Sequence, residues 1–407
     1  MPLLQAGKDD DGRRLDRILR KALPGVPLSA LHRLLRKGRI LVDGRPAGAA
    51  ERVAAGAVID VPAGLVPGPS VPGAASPSPA PPPPFPGAAS PFPAPPPPVP
   101  APPAPTPPSL VPAPPSPGPG PASPVPAPPS FVPAAAAPVR LPVALGAAIL
   151  AEGRGVLVLN KPAGLAVHGP GSLDAWVRAY LRGGLAPSLS FRPGPLHRLD
   201  KPSSGVIVFS RTLEGARRFS ALLREGRLRK YYLALAEGAV GGPERWEDRL
   251  GEKAGGRVRA AAGGGKAAGK AAVTGVAPLA CAGGYTLLLA ELGTGRTHQI
   301  RAQAAARGHP LAGDRRYGGR GGGFFLHAWA LDIPAEEAAA LGLDGAAGAA
   351  AGAAAGAAAG AAGGAYRRFC APLPGPFRRR VGELFGENIL DTIDNPSPIL
   401  PFDGILG

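Results

Sequence analysis

The chain has 407 residues and a formal charge of +17, a balance that points to a polyanionic partner, nucleic acid ahead of an anionic membrane surface. Its 60 Gly and 56 Pro are far above ordinary usage and gather in stretches that cannot build a core, so the length supports fewer domains than it otherwise would. The two cysteines, Cys281 and Cys370, stand far apart, which excludes a disulfide framework and a paired-cysteine zinc site.

From its first residues the chain turns acidic, at Asp9-Asp10-Asp11, before a signal-peptide core could form, and no apolar run is long enough to span a bilayer. Both features predict a soluble, cytoplasmic protein with no membrane partner.

Residues 13–61 read as a small basic module. Leu15, Ile18, Leu19 and Ala22 recur at helical spacing, which leaves Arg13, Arg17, Arg20 and Lys21 on the other face. A second helix is expected from Ser29, a good N-cap, burying Leu31, Leu34 and Leu35 and presenting Arg33, Arg36 and Lys37. Gly38 suits its stop. Arg39–Val42 reads as a strand, Asp43-Gly44 as a tight turn, and 56–61 as a further strand. A single basic helix is usually a solvated surface; two in one small module, standing ahead of the motif runs of the larger domain quoted below, favour contacts with phosphates.

Residues 62–142 are dominated by Pro, Ala, Ser and Gly, with no charged residue from Pro62 to Val139. Such a composition buries too little apolar surface to offset the entropy of ordering, and predicts a disordered, partly polyproline II linker. As a spacer it would let the basic module hold its partner while the following domain searches nearby.

The larger domain is expected over 143–381. Val156–Leu159 reads as a buried strand and Asn160–Gly164 as the turn leaving it. Helices are predicted over 173–182, with Trp176, Val177, Tyr180 and Leu181 inward, and over 213–224, packing Leu213, Ala216, Phe219, Leu222 and Leu223. Val206–Phe209 and Lys230–Ala236 read as strands. Strands pairing over long separations with helices between them give an α+β fold with a mixed, largely antiparallel sheet. Two low-complexity insertions interrupt it: 254–272, read as a mobile basic loop, and 345–365, read as a frayed helix or flexible loop. The sequence assigns no role to the tail at 382–407.

Within this domain, His197-Arg198-Leu199-Asp200, two residues, then Ser203-Ser204-Gly205 runs directly into the Val206–Phe209 strand. A polar group is thereby set at the rim of a sheet, where packed structure fixes it and a substrate can reach it. Asn160-Lys161-Pro162-Ala163-Gly164, Lys230-Tyr231-Tyr232-Leu233-Ala234, Gly295-Arg296-Thr297-His298-Gln299-Ile300-Arg301 and His309-Pro310-Leu311-Ala312-Gly313-Asp314 are four further distinctive runs. Together and in this order they resemble the RluA-type pseudouridine synthases over about half of the chain, with Ser203 where that family often has Thr. The helix–helix–strand–turn order of 13–61 is similar to the S4 RNA-binding fold that often precedes the synthase domain.

The resemblance implies an isomerase that converts uridine to pseudouridine in RNA, with Asp200 as the catalytic carboxylate, nucleophile or base. It implies Arg301 as the arginine paired with that carboxylate, and Tyr232 as the aromatic that stacks on the target base; Tyr231, its strand neighbour, should point to the opposite face. It also implies Arg198 as the side chain that fills the gap left by an everted nucleotide. His298 and Lys161 are candidate contacts to the RNA backbone, or equally structural residues. No cofactor or metal is expected: the six histidines form no i,i+4 pair and no ligand cluster. Likeness to the RluC-like branch, including Val167-His168-Gly169, favours large-subunit ribosomal RNA over transfer RNA and implies a monomer. Two other classes remain. A non-catalytic RNA-binding assembly protein is disfavoured because Asp200, Tyr232 and Arg301 are all present. A hydrolase built on Ser203 or Ser204 with His197 and Asp200 is weaker still, since residues so close in sequence would need a strained loop and no nucleophile elbow accompanies them.

Overall fold

A computed structural model describes residues 3–63, 65, 148–185, 188–252, 258–262, 269–344 and 366–395. The proline-rich stretch falls almost wholly outside these residues, and 345–365 entirely.

The N-terminal module contains β1 (Leu3–Gln5), β2 (Arg13–Arg14), α1 (Leu15–Ala22), α2 (Leu28–Arg36), β3 (Leu41–Val42), β4 (Arg45–Pro46), β5 (Arg52–Val53) and β6 (Val58–Asp60). Leu15, Ile18 and Leu19 lie one above another on α1 and are wholly buried with Leu31 and Ile59, because i, i+3 and i+4 share a helix face. α2 starts one residue earlier than its sequence implies. Pro27 takes the N-cap position and its carbonyl accepts the Ala30 and Leu31 amides, while Ser29 lies inside the helix. Gly38 adopts a left-handed φ of 62° and ends the helix. Asp43 and Gly44 both take positive φ, the turn that lets β3 fold back on β4. The strands form a sheet in the order β1-β6-β3-β4, and β2 pairs separately with β5.

This module is docked on the larger domain. Asp10, with no exposed surface, accepts hydrogen bonds from the Leu189 amide (2.8 Å), the Ser190 amide and Ser188 hydroxyl (3.0 Å each) and the Ser190 hydroxyl. Asp9 accepts from the Leu213 amide at 3.0 Å. Leu189 packs against the module's own core. The expectation of a module that ranges freely on a tether is therefore corrected: a buried carboxylate is tolerated here only because neighbouring donors saturate it.

The larger domain runs β7 (Ile149–Glu152), β8 (Val156–Lys161), α3 (Leu173–Tyr180), β9 (Ser204–Ser210), α4 (Leu213–Arg224), β10 (Arg229–Glu237), β11 (Glu244–Glu252), β12 (Val258–Ala262), β13 (Lys270–Ala282), β14 (Tyr285–Leu292), α5 (Gln299–Ala306), β15 (Leu326–Pro334), α6 (Ala335–Ala340), β16 (Tyr366–Cys370), α7 (Gly375–Phe385) and α8 (Glu387–Asp394). Its sheet has the order β12-β11-β13-β14-β10-β15-β9-β8-β7, with β16 on the second half of β15. Every pairing is antiparallel except β15 with β9, so the sheet is mixed and largely antiparallel. That parallel contact, His327 with Ser204 and Ala328 with Gly205, requires the glycine: Gly205 has φ 110°, and a Cβ there would stand 2.1 Å from the Ala328 carbonyl oxygen. One face of the sheet packs Ile207, Tyr232 and Leu288 against Trp176 and Ile300; the other packs Tyr231, Leu233 and Trp329 against Phe377 and Leu390.

Three expectations are corrected. Tyr180 does not face inward; it is 42% exposed and donates to Glu152 Oε2 at 2.8 Å. Residues 254–272 are not simply a loop, because β12 and the start of β13 lie within them and pair with β11 through backbone groups, which Ala and Gly supply as well as any residue. The boundary at 381/382 cuts through α7, and α8 lies in the supposed tail, its Leu390 and Ile393 buried on the sheet. Among the described residues, no helix is long and apolar enough to cross a membrane.

Candidate active site

The loop before β9 carries Asp200. Buried Leu199 anchors it, and the Asp200 carbonyl accepts the Ser203 amide at 3.1 Å. Beneath it lies Lys161, at the end of β8, with no exposed surface. Its Nζ donates to the carbonyls of Pro162 and Leu165 at 2.9 Å each and of Lys201 at 3.2 Å. Three bonds use all three ammonium protons and stitch the 160–164 turn to the Asp200 loop. Burial pushes this ammonium down to about 8, against the attraction of Asp200. Of the two roles left open for Lys161, the structure gives it the structural one: it has no donor and no surface left for a phosphate.

α5 brings up the counter-charge. Arg301 Nη1 donates to Asp200 Oδ2 at 2.9 Å. Its Nε and Nη2 form a fork with Asp314, at 2.7 and 2.8 Å. The guanidinium lies against the rings of Tyr317 and Phe324, 5.1 Å from each centroid. Burial works against its charge, but the two carboxylates outweigh burial and keep it protonated. Sequence reading brought Asp200 and Arg301 together across 101 positions; Asp314, 2% exposed, was quoted within a motif but given no role.

His298, immediately before α5, has a left-handed φ of 53°, a conformation that costs a non-glycine residue energy and clusters at functional sites. The Tyr317 hydroxyl oxygen accepts the Val258 amide at 3.1 Å and lies 3.0 Å from His298 Nδ1. On the other side of the ring, Nε2 faces Asp200 Oδ2 at 3.6 Å. Burial lowers the imidazole's pKa, with Asp200 opposing, so the ring is neutral near pH 7. Of the two roles left open for His298, the structure gives it an internal one beside the carboxylate.

Tyr232, on β10, is 8% exposed and lines the same cleft; burial, then the charge of Asp200, raises its phenol above the ordinary value. Tyr231 lies on the opposite face, as strand alternation requires. The cleft is narrow, with a cavity volume of about 50 Å³, and is lined by Asp200, Tyr232, Arg301, His298, Arg198 and Leu326. Arg198 is exposed at its edge. Arg33, Arg36 and Lys37 are exposed on α2 and make no described contact with this cluster.

No serine triad forms here. His197 Nε2 accepts the Val208 amide at 3.0 Å, and burial, with Lys230 nearby, pushes its pKa to about 3. Ser204 pairs instead with His327 Nδ1 at 2.8 Å. Among the described residues, no group of three or more His, Cys, Asp or Glu stands where it could hold a metal ion.

Residues 155–306 match the family model described as RNA pseudouridylate synthase, and residues 13–59 match the S4 domain model. The chain is thus similar to an S4 domain followed by an RNA pseudouridylate synthase domain. More particularly, it is 39% identical over 174 residues to ribosomal large subunit pseudouridine synthase D of Neisseria meningitidis, covering 42% of this chain and 46% of that one. It is 28% identical over 321 residues to ribosomal large subunit pseudouridine synthase C of Vibrio cholerae, covering 77% and 79%. The chain spans about half the length of the synthase D relatives it matches. Among solved structures, human RNA pseudouridylate synthase domain containing 1 is similar at 27% identity and a TM-score of 0.40, covering 46% of this chain and 78% of that one.

Proposed function

We propose that this chain isomerises uridine to pseudouridine in large-subunit ribosomal RNA, as a cytoplasmic monomer using Asp200 and no cofactor or metal. The observation that carries the reading is the state of the Asp200 carboxylate. One oxygen is held by Arg301 at 2.9 Å beside a buried tyrosine in an open cleft, while among the described residues the other oxygen accepts no hydrogen bond. A carboxylate so placed retains a free lone pair toward whatever enters.

Isomerisation breaks the N-glycosidic bond, turns the uracil and rejoins it through carbon five. The free oxygen of Asp200 serves that chemistry as nucleophile at the sugar or as base for a sugar proton. Tyr232 supplies a flat wall against which a detached base can stack, and Arg198, at the mouth, can occupy the space an everted nucleotide leaves. Arg33, Arg36 and Lys37 meet phosphates at some distance from the cleft and set register, with little sequence discrimination.

The test is to incubate purified chain with unmodified large-subunit ribosomal RNA and transfer RNA and to quantify pseudouridine. Conversion is expected in ribosomal RNA and none with Asp200→Asn, which should still bind RNA. Conversion of transfer RNA alone would overturn the substrate, and full activity of Asp200→Asn would overturn the site.

A further inference from the structure

The docked module meets the larger domain along a seam whose two sides carry the same sign of charge. Asp9 holds the Leu213 amide at 3.0 Å, so α4 starts against the module. Arg217 lies four residues further on and therefore on the same face of that helix. There it comes within electrostatic range of Arg13 on the module, which also neighbours Arg17. Burial, Arg217 and Arg17 together lower the Arg13 pKa further than Asp10 and Asp9 raise it. Arg13 is half-buried, and Arg17 and Arg217 are exposed. Among the described residues none of these three forms an ion pair, whereas Arg14, Arg211 and Arg218 each do, with Asp16, Glu152 and Glu337. The acids at the seam are otherwise engaged: Asp10 is saturated by amides and hydroxyls, and Asp9 caps α4. Beside the same contact a pocket of about 180 Å³ opens between Lys8 of the module and Arg154 and Arg218 of the larger domain, with Glu214 also in its wall.

Like charges brought together from two bodies repel, and the contacts that oppose them here are hydrogen bonds from neutral donors. An anion lying across the seam turns that repulsion into attraction on both sides. A nucleic-acid backbone fits best, because each phosphate offers oxygens that guanidinium forks can grip from two directions. We propose that the seam is a contact surface for the RNA backbone: phosphates are held by Arg13 and Arg17 from the module and by Arg217 from the larger domain, so that bound RNA keeps the module docked. This rests on the function proposed above, with RNA as the substrate, and deepens it. Docking and RNA binding are then linked, and whatever factor RNA adds to docking, docking adds to RNA affinity. Arg33, Arg36 and Lys37 belong to a different element of the module and act independently of the seam.

The test uses the full chain and a transcript of unmodified large-subunit ribosomal RNA, with amide exchange read at Leu189, Ser190 and Leu213 and binding titrated over a range of salt. RNA should slow exchange at these three amides several-fold in wild type. Arg217→Gln should weaken binding several-fold and reduce the salt slope by about one, and RNA should protect the three amides less. Without RNA, relief of the repulsion should leave their exchange no faster than in wild type, whereas an arginine that merely braces the seam would make it faster when removed. Arg217→Lys, which keeps the charge, should restore the slope. RNA binding that leaves the three amides unprotected, a wild-type slope in Arg217→Gln, or faster exchange in that variant without RNA would overturn the seam alone. Equal protection by poly-glutamate would overturn its assignment to a phosphate backbone. Failure of wild type to bind the transcript at all would overturn the seam together with the function proposed above.

Discussion

Two aspartates, one buried and one half-buried, organise the two parts of this molecule, and their surroundings give the same side chain opposite tasks. Asp10, in the N-terminal module, has both oxygens filled by neutral donors: the Gly7 and Leu189 amides on Oδ2, and the Ser190 amide with the Ser188 and Ser190 hydroxyls on Oδ1. Asp200 has one oxygen on a guanidinium and the other unclaimed among the described residues, and it borders a cleft. A saturated carboxylate is a fastener; one left half-satisfied at the edge of a cleft is available for chemistry. Fold position does not distinguish them, since both sit in short connections outside the sheets, Asp10 at the end of a 3-10 turn over Lys8–Asp10 and Asp200 in the loop before β9. The count and charge of their donors does.

Breaking the reactive half should have the largest effect. Asp200→Asn removes the proposed reacting oxygen and should lower turnover by about 10⁴-fold or more, measured as pseudouridine formed per enzyme, with RNA affinity retained. Arg301→Met tests the cluster's stability. It leaves Asp200 and Asp314 without their shared cation, and denaturant unfolding should show a loss of about 3–5 kcal/mol, the usual result of removing one partner of a buried pair.

Breaking the saturated half should cost less and leave chemistry intact. Asp10→Asn leaves donors of the 188–190 loop unfilled, for a loss of about 1–3 kcal/mol in module docking, read as faster amide exchange at Leu189 and Ser190. The same contact has a pH signature. Burial alone would raise the Asp10 carboxyl, but bonds from Ser190, Leu189, Gly7 and Ser188 outweigh it and hold the pKa below the ordinary value. The docked form therefore binds fewer protons than the released one. Its stabilisation is present in full above roughly pH 4 and is lost as pH falls through the depressed value, which exchange measured between neutral and acid pH will show. The smallest effect belongs to the surface: Arg36→Ala with Lys37→Ala should weaken RNA binding across sequences and reduce its salt slope by about one per lost phosphate contact.

What the sequence revealed follows the same division. Asp200, Arg301 and Tyr232 were legible because they stand in distinctive motifs, and helix 213–224 because its apolar period is unbroken through Phe219 and Leu222. Lys161 was left open between two roles because lysine is a surface residue by default, and the three carbonyls that satisfy it come from turns no periodicity announces. β12 escaped because an Ala-rich strand pairs through its backbone and carries no side-chain alternation. Asp10 looked like part of an acidic start. Its partners Ser188 and Ser190 lie 178 and 180 residues away, a contact made by folding alone. α7 and α8 were within reach of the pattern Phe377, Val381, then Leu390, Ile393, had the tail been read at helical spacing.

The most direct measurement is a structure of the Asp200→Asn variant bound to an RNA fragment containing the target uridine. The account predicts an everted nucleotide stacked on Tyr232, its sugar about 3–3.5 Å from the side-chain atom that replaces the unclaimed Asp200 oxygen, with Arg301 still forked on Asp314. A uridine left in the helical stack, or a sugar lying against some other wall of the cleft, would contradict it.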